Sequence, residues 1–332
     1  MMTNNADAEI KVERVSCALC GQNEIEPVAR GCDYEYMSTN KEFCFVRCSN
    51  CGHYYLNPRP TSEAAGKIYP PNYYTMEGRH SGGSKIIAYL KNFVIRRRLA
   101  LFKKYFKRPI TVLEIGCGDC ALLVNIKRRY PQINCVGVDL RFSGNARSVC
   151  HELGISLLEG TIEEIDLPED KFGLVIMNQL IEHLWQPVEV LKKINRSMTD
   201  DSMISIETVN VSGYDRMFFK KRFWGGYYFP RHLNLFDFGS LRRLLEMTGF
   251  KIIRQYSLSA PIVWAFSFHS LVSDFNNKKE GRFSRFFSDK NPICLGIFAS
   301  IDIIALLCGL ITSNQKAVGR KINYKILGGR NG

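Results

Sequence analysis

The stretch Val112-Leu-Glu-Ile-Gly-Cys-Gly-Asp-Cys120 constrains this chain more than any other. Its apolar run reads as a buried strand, its two glycines as a sharp turn, and the apolar spacing from Ala121 to Tyr130 as a helix that follows at once. Such a turn lets a backbone come within contact distance of a ligand, because glycine lacks the Cβ that would block the approach. The pattern belongs to an α/β sheet and points to a ligand that carries a nucleoside.

Two ligand classes use this geometry. Read as Gly116-x-Gly118-x-x-Ala121, with Asp139 about 20 residues on, the segment fits the dinucleotide fingerprint. Read with the acid two positions before the first glycine, Glu114, it resembles the S-adenosylmethionine (SAM) turn of class I methyltransferases. The second strand, Asn134 to Asp139, ends in an acid under both readings, so the downstream chain decides. The run from Gly160 to Leu184 resembles the third loop and fourth strand of a SAM-dependent methyltransferase. A helical pattern from Ser240 to Thr248, followed by Gly249-Phe250, resembles that family's helix before its closing hairpin. The resemblance covers roughly residues 80 to 260, with one departure: the third glycine of the family turn is Cys120, whose side chain is expected to face the ligand.

The N-terminal segment carries a second motif. Twelve cysteines raise the question of disulfides, but the polar start Met1-Met-Thr-Asn-Asn-Ala-Asp has no apolar signal region, so cytosolic thiols are expected. Cys17-x-x-Cys20 and Cys48-x-x-Cys51 form two pairs that can converge on one tetrahedral zinc. Cys32, Cys44 and His53 lie in the same segment as substitute ligands. Between the pairs, Glu42 to Arg47 alternates as a hairpin strand does. Four thiolates leave no open position on the metal, so the expected zinc is structural, and a segment this small depends on it to fold. The segment resembles the zinc ribbon that precedes the methyltransferase domain in a group of bacterial enzymes including sugar C-methyltransferases. Tyr55-Leu-Asn-Pro-Arg-Pro60 and Ile68-Tyr-Pro-Pro-Asn-Tyr-Tyr74 carry the same likeness.

A formal net charge of +13 calls for an anionic partner surface. From Arg79 to Arg108 there are ten Lys or Arg and no Asp or Glu, interleaved with large apolar residues at helical spacing. A basic amphipathic helix of this kind binds a membrane surface or packs on the domain with its charges solvated. Ile293 to Ile311 is a 19-residue run whose only charge is Asp302, and it follows the basic, Phe-rich Arg282 to Phe287. The length permits a span, but an aspartate near its centre costs about 2.5–3.5 kcal/mol on insertion scales. A single span would also strand Ala317 to Leu327, which alternates like a last strand, across the bilayer. The expectation is one or two helices lying in the interface or covering the substrate entrance, with an ordinary buried hairpin as the alternative. The partners expected are a lipid or lipid-linked acceptor and an anionic membrane, placing the protein on the inner face of the membrane. Nucleic acid is disfavoured, because no stacking-platform motif interleaves the basic residues.

The expected fold class is α/β: a Rossmann-like, mostly parallel seven-stranded sheet with an antiparallel last strand, a small N-terminal zinc ribbon and a C-terminal helical insertion. The expected divisions are 1–60 for the ribbon, 61–108 for a linker with the basic helix, 109–260 for the SAM-binding core, 261–316 for the insertion, and 317–332 for the last strand and tail. The resemblance implies that Glu114, Gly116, Cys117, Gly118 and Cys120 frame the methionine portion of SAM, and that Asp139 takes the ribose hydroxyls, with Leu140 beside the adenine. It implies Thr161 and Ile162 at the adenine edge, and backbone of Asn178 and Gln179 at the methionine end.

In-line methyl transfer needs alignment and removal of one proton. His183, oriented by Glu182 at the end of the fourth strand, is the first candidate acceptor of that proton, and His232 the second. The pair resembles the Glu-His of quinone O-methyltransferases, whose further carboxylate for a divalent metal is Gln179 here. It also resembles the Glu-His of sugar C-methyltransferases, whose tyrosine two residues before the Glu is Leu180. Trp224, Tyr227 and Tyr228 are expected to line the acceptor pocket. The function expected is methyl transfer to an oxygen or carbon of a lipid or lipid-linked acceptor. Alternatives are a soluble sugar or natural-product methyltransferase with a dimer interface, a SAM-binding scaffold and, third, a dinucleotide enzyme.

Overall fold

A computed structural model of the protein describes residues 10–69, 95, 99–100, 102–275 and 285–322. Seven strands form the central sheet: β6 (Thr111–Ile115), β7 (Asn134–Asp139), β8 (Ser156–Glu159), β9 (Phe172–Asn178), β10 (Met198–Val209), β12 (Phe250–Leu258) and β13 (Asn314–Lys321). Their order is β12-β13-β10-β9-β6-β7-β8. β8, β7, β6, β9 and β10 run parallel, and β13 enters antiparallel to both β10 and β12. This is the expected Rossmann-like arrangement, with its last strand starting at Asn314, three positions before the sequence pattern placed it.

Helices cover both faces of the sheet, which is why β9, Phe172-Gly-Leu-Val-Ile-Met-Asn178, is an unbroken apolar run and not an alternating one. On one face, Leu113, Ile115, Val175, Met177, Ile204 and Ile206 pack against α4 (Pro187–Ser197) and α6 (Phe238–Met247). On the other, Val112, Leu174 and Ile176 meet α2 (Ala121–Arg129), α3 (Gly144–Glu152) and the side chains of Leu99, Phe102 and Phe106. The helix starts follow local chemistry: proline opens α4, Ser143 accepts from the Ala146 amide to cap α3, and Asp237 and Ser240 form a reciprocal box on α6. Most of the basic segment 79–108 falls outside the described residues. Its C-terminal end packs on the domain, with Leu99, Phe102 and Phe106 buried.

The N-terminal segment makes its own sheet from β2 (Ile25–Gly31), β3 (Phe43–Cys48) and β4 (Tyr54–Leu56), and a short ribbon pairs β1 (Val12–Glu13) with β5 (Arg59–Pro60); α1 (Ala65–Ile68) follows. The larger sheet has a fourth strand drawn from far along the chain: β11 (Asn234–Leu235) pairs with β4, directly after His232. Phe43, Phe45 and Leu56 of this sheet share one apolar core with Trp224, Phe229 and Leu233, and with Trp264 and Phe298 of the C-terminal helices.

Those helices are α7 (Pro261–Phe275) and α8 (Pro292–Leu307), which pack on each other; the short α5 (Arg216–Phe219) abuts them through the Phe219 and Trp264 rings. Asp302 explains why α8 is not a span. It is fully buried and accepts from the Ala260 amide at 2.5 Å, Trp264 Nε1 at 2.9 Å and the Ser259 hydroxyl at 3.2 Å. The charge that interrupts the apolar run is the bolt that fastens α8 to the domain. Among the described residues no helix is long and apolar enough to cross a membrane.

Candidate active site

The glycine turn closes on the end of β7. The amides of Gly116 and Cys117 donate to Val138 O at 2.8 and 3.3 Å, and the Gly118 amide donates to Asp139 Oδ2 at 2.7 Å. Gly116 and Gly118 hold φ of 74° and 53°, the left-handed region that glycine enters without steric cost. A Cβ at Gly118 would meet nothing within 4 Å, so the turn opens onto free space on that side. Cys120 also sits in the left-handed region, at φ 59°, and this corrects the expectation for its side chain. Its sulfur is fully buried, 3.7 Å from Cys117 Sγ and facing Cys150, so only its backbone can face a ligand. Cys117 is likewise a core side chain beneath Gly137.

The remaining cofactor candidates ring the same strand ends. Asp139 caps the turn and also accepts from the Leu140 amide at 2.8 Å; burial raises its carboxyl, and the backbone donors oppose that. Its carboxylate has further lone-pair sites for ribose hydroxyls. Leu140 is 40% exposed, an apolar surface beside the turn. Glu114 is buried on β6. Thr161 bonds Glu164 at 2.9 Å, whereas the Ile162 side chain belongs to the core, which leaves only its backbone for an adenine edge. Asn178 ends β9 with its side-chain oxygen buried and unpartnered. The Gln179 amide donates to Glu207 O at 2.7 Å and its side chain to Asn314 at 3.1 Å, which leaves its backbone carbonyl as the main-chain group it can present. The open turn, the acid at the end of β7 and the unpartnered Asn178 oxygen suit a nucleoside with a polar tail.

Glu182, His183 and His232 come together, each bringing an atom within 4.8 Å of the others. The two imidazole rings meet edge-on with centroids 4.7 Å apart. Thr208 donates to Glu182 Oε2 at 2.7 Å, while Oε1 is buried without a partner. His232 Nδ1 lies 2.8 Å from Gly226 O, and His183 Nδ1 lies 3.1 Å from Arg231 O and 3.1 Å from the Tyr69 hydroxyl. A carbonyl oxygen only accepts, so each Nδ1 carries the hydrogen and each Nε2 keeps its lone pair.

Desolvation divides the cluster. It lowers His183 to about 4, lowers His232 as well, and pushes Glu182 up to about 7. The member whose proton affinity matches neutral pH is therefore Glu182, not the histidine that sequence favoured. Tyr228 lies edge-on to His183 and is stacked on Phe266 of α7, so it walls the pocket. Trp224 and Tyr227 do not. Trp224 Nε1 bonds Asp215 and Ser313, and the Tyr227 hydroxyl bonds Lys220 O, both in the core. Tyr36 and Arg231 carry no local motif, and Tyr69, although it lies in the Ile68 to Tyr74 run, shows in sequence no link to the histidines.

The four-cysteine site forms as expected. Cys17 and Cys20 lie on one turn and Cys48 and Cys51 on another, each turn closed by a glycine amide, Gly21 to Cys17 O and Gly52 to Cys48 O. Two sulfur pairs are 3.5 Å apart and all four lie within 4.8 Å of one another. A tetrahedral zinc with Zn–S of about 2.3 Å needs edges of about 3.8 Å, so the donor set fits. Cys32, Cys44 and His53 stand outside it. His53 is fully buried, stacked on Tyr55 and tilted against Phe236, with Nε2 3.2 Å from Asn234 Oδ1.

Comparison with known proteins bears on the core. A family model described as "Methyltransferase domain" matches residues 86–255. A probable S-adenosylmethionine-dependent methyltransferase of Mycolicibacterium smegmatis is 24% identical over 171 residues, covering 49% of this chain and 61% of that one. A ubiquinone biosynthesis O-methyltransferase of Bradyrhizobium diazoefficiens is 30% identical over 105 residues, covering 30% and 40%. The solved structure of a SAM-dependent methyltransferase from Archaeoglobus fulgidus superposes with a TM-score of 0.44 at 19% identity, covering 72% of this chain and all of that one. The chain spans about half the length of the curated relatives it matches. With more than half of its residues matched by the family model, the chain belongs to the methyltransferase domain family.

Proposed function

We propose that the protein transfers a methyl group to an oxygen or carbon of a lipid or lipid-linked acceptor, working peripherally on the inner face of a membrane. The observation that carries this is the continuity between the histidine cluster and an uncovered apolar surface. Tyr228 touches both histidine rings, Phe266 of α7 stacks on Tyr228, and α8 packs on α7. Along α8, Ile293, Ile297, Ile301, Ile304 and Leu307 recur at helical spacing and are 40–83% exposed. Met217 and Phe218 of α5 are about as bare, at 72% and 70%. Exposed Lys220, Lys221, Arg285 and Lys290 flank these residues, the arrangement that suits anionic headgroups around an inserted apolar face.

SAM, when bound at the glycine turn, supplies a methyl group on a sulfonium. In this reading Asp139 and the turn fix the nucleoside end, and the Asn178 and Gln179 strand ends flank the methionine end. The acceptor enters beside Tyr228, and its proton passes to the Glu182 cluster. Zinc, held by Cys17, Cys20, Cys48 and Cys51, is structural and supplies folding free energy, not chemistry.

The test is sedimentation with vesicles of phosphatidylglycerol in phosphatidylcholine, at low salt. The wild type is expected to sediment, and I297D combined with I304D to remain in the supernatant with its melting temperature unchanged. A wild type that stays in solution at low salt defeats the membrane reading. A wild-type dimer that the same variant converts to monomer would assign the stripe to a subunit interface.

A further inference from the structure

Arg231 is the residue between the cluster and the N-terminal sheet. Its side chain is fully buried and pairs in two prongs with Asp33, Nη1 to Oδ1 at 2.9 Å and Nη2 to Oδ2 at 2.7 Å, across 198 positions of sequence. Asp33 also accepts from the amides of Tyr36 and Ser38, at 3.1 and 2.9 Å, and from the Ser38 hydroxyl at 2.6 Å. The rings of Tyr36 and Tyr228 lie against the guanidinium, 4.5 and 5.2 Å from centroid to Cζ. Burial alone would raise the Asp33 carboxyl, but the guanidinium overcomes it and holds the group ionised. A dry, two-pronged pair of this kind has one orientation. It fixes the Arg231 main chain, whose carbonyl stands 3.1 Å from His183 Nδ1.

We propose that Asp33 is a positioning residue for methyl transfer: through Arg231 it fixes the carbonyl that keeps His183 in its Nδ1–H tautomer, so that Nε2 is the bare nitrogen of that ring. The proposal rests on the reading of Glu182, His183 and His232 as the proton-accepting cluster. A competing partner for His183 is already in place. The Tyr69 hydroxyl, also 3.1 Å from Nδ1, can donate as well as accept. When the Arg231 carbonyl is displaced, Tyr69 becomes the donor, and the ring converts to the Nε2–H tautomer with its lone pair turned away from its working side. His232 and Tyr228 contact His183 through their rings, and neither supplies Nδ1 with an acceptor. The N-terminal sheet thereby sets the chemistry of a side chain it does not itself contact through Asp33.

The experiment is long-range 15N–1H NMR of the full chain, zinc-loaded and labelled at histidine. In the wild type His183 and His232 should show protonated Nδ1, and His53, whose Nε2 faces Asn234 Oδ1, the opposite tautomer. D33N is expected to move more than half of His183 to the Nε2–H form, D33E to return it, and His53 to stay unchanged as a report on the fold. Because D33N takes the bidentate partner from a buried arginine and leaves it beside Glu35, a carboxyl that burial raises to about 8, the double variant D33N/R231M is measured alongside. It removes both charges at similar volume and should release His183 in the same way. His183 retaining Nδ1–H in folded D33N or folded D33N/R231M overturns the proposal. Calorimetry with S-adenosylhomocysteine separates the two readings: binding should hold within about twofold in all variants, and a wild type that does not bind defeats the methyltransferase reading without touching the tautomer result.

Discussion

The two halves of the site are built in opposite ways. The cofactor side is built around one continuous stretch, β6, the turn at Gly116 to Cys120 and the start of α2, closed by the acid at the end of β7 and flanked by the strand ends at Thr161 and Asn178. The acceptor side gathers Asp33, Tyr69, Glu182, His183, Thr208, Tyr228, Arg231 and His232 from five separate segments. A contiguous site is held by local backbone bonds and survives changes elsewhere. A dispersed one stands only while the layers that carry its pieces stay docked. In this chain the docking runs through backbone. The Leu56 amide donates to Leu233 O at 2.9 Å and the Leu233 amide to Glu182 O at 2.8 Å, so the N-terminal sheet is two hydrogen bonds from the carboxylate-bearing residue.

The strongest way to break this contrast is to remove the zinc proposed for the four cysteines. Structural zinc contributes roughly 10–16 kcal/mol of apparent binding free energy to modules of this type, more than a small sheet can replace. Stripping it with a chelator, or substituting Cys48 by serine, should unfold β2 to β4 and release β11 with them. Turnover is expected to fall by more than about 10³-fold, a loss of more than about 4 kcal/mol of transition-state stabilisation. The cofactor turn should persist, visible as S-adenosylhomocysteine binding within a few-fold of wild type. Loss of that binding in parallel with turnover would mean that the two halves form one cooperative unit, and the contrast would fail.

A smaller change sharpens the assignment inside the acceptor half. Glu182 is raised to about 7 by burial, while both histidines are lowered. Below pH 7 the carboxyl is protonated and cannot accept a proton, so the rate should rise through that pH and level off above it. E182Q is expected to lose about 10²–10⁴-fold in kcat, the usual range for a positioned acid or base, and to lose the inflection near 7 while binding SAM normally. An inflection that survives in E182Q places the base on an imidazole.

The same contrast marks how far the sequence could be read. The cofactor turn was legible because every part of it is local: glycine spacing, an acid two before, an acid one strand on. The four cysteines were legible because metal geometry forces paired spacing. The mostly parallel seven-stranded sheet with its antiparallel last strand followed from the family resemblance, and that last strand was visible as alternation, although its start at Asn314 was hidden because the segment is buried on both faces. Asp33, Tyr69 and Arg231 could not be found, since a bidentate pair 198 positions apart leaves no periodic trace. Cys120 was misread for a related reason: a left-handed backbone reverses where a side chain points, and residue type does not announce it. Likewise His183 was named first from its free-solution pKa, which does not include the desolvation that lowers it to about 4.

The smallest effect expected belongs to His53, which belongs to the docking layer and to neither half of the chemistry. It is fully buried and lowered to about 4 by desolvation. Its folded value lies below its unfolded one, so the unfolded chain binds the extra proton between about pH 6.5 and 4. Its contribution is therefore complete above about pH 6.5 and lost as the pH falls toward 4. The shift corresponds to about 3 kcal/mol for this one ring. His183 and His232 shift in the same direction and add to the acid sensitivity. Replacing His53 by glutamine keeps a donor for Asn234 Oδ1 but removes the titration. H53Q should therefore be somewhat less stable than wild type at pH 8, yet lose less on acidification to pH 5, as read from urea unfolding at the two pH values. Equal acid losses in H53Q and wild type would show that the layer between the sheets admits water at His53, and that the N-terminal sheet is less firmly docked on β11 than its bonding implies.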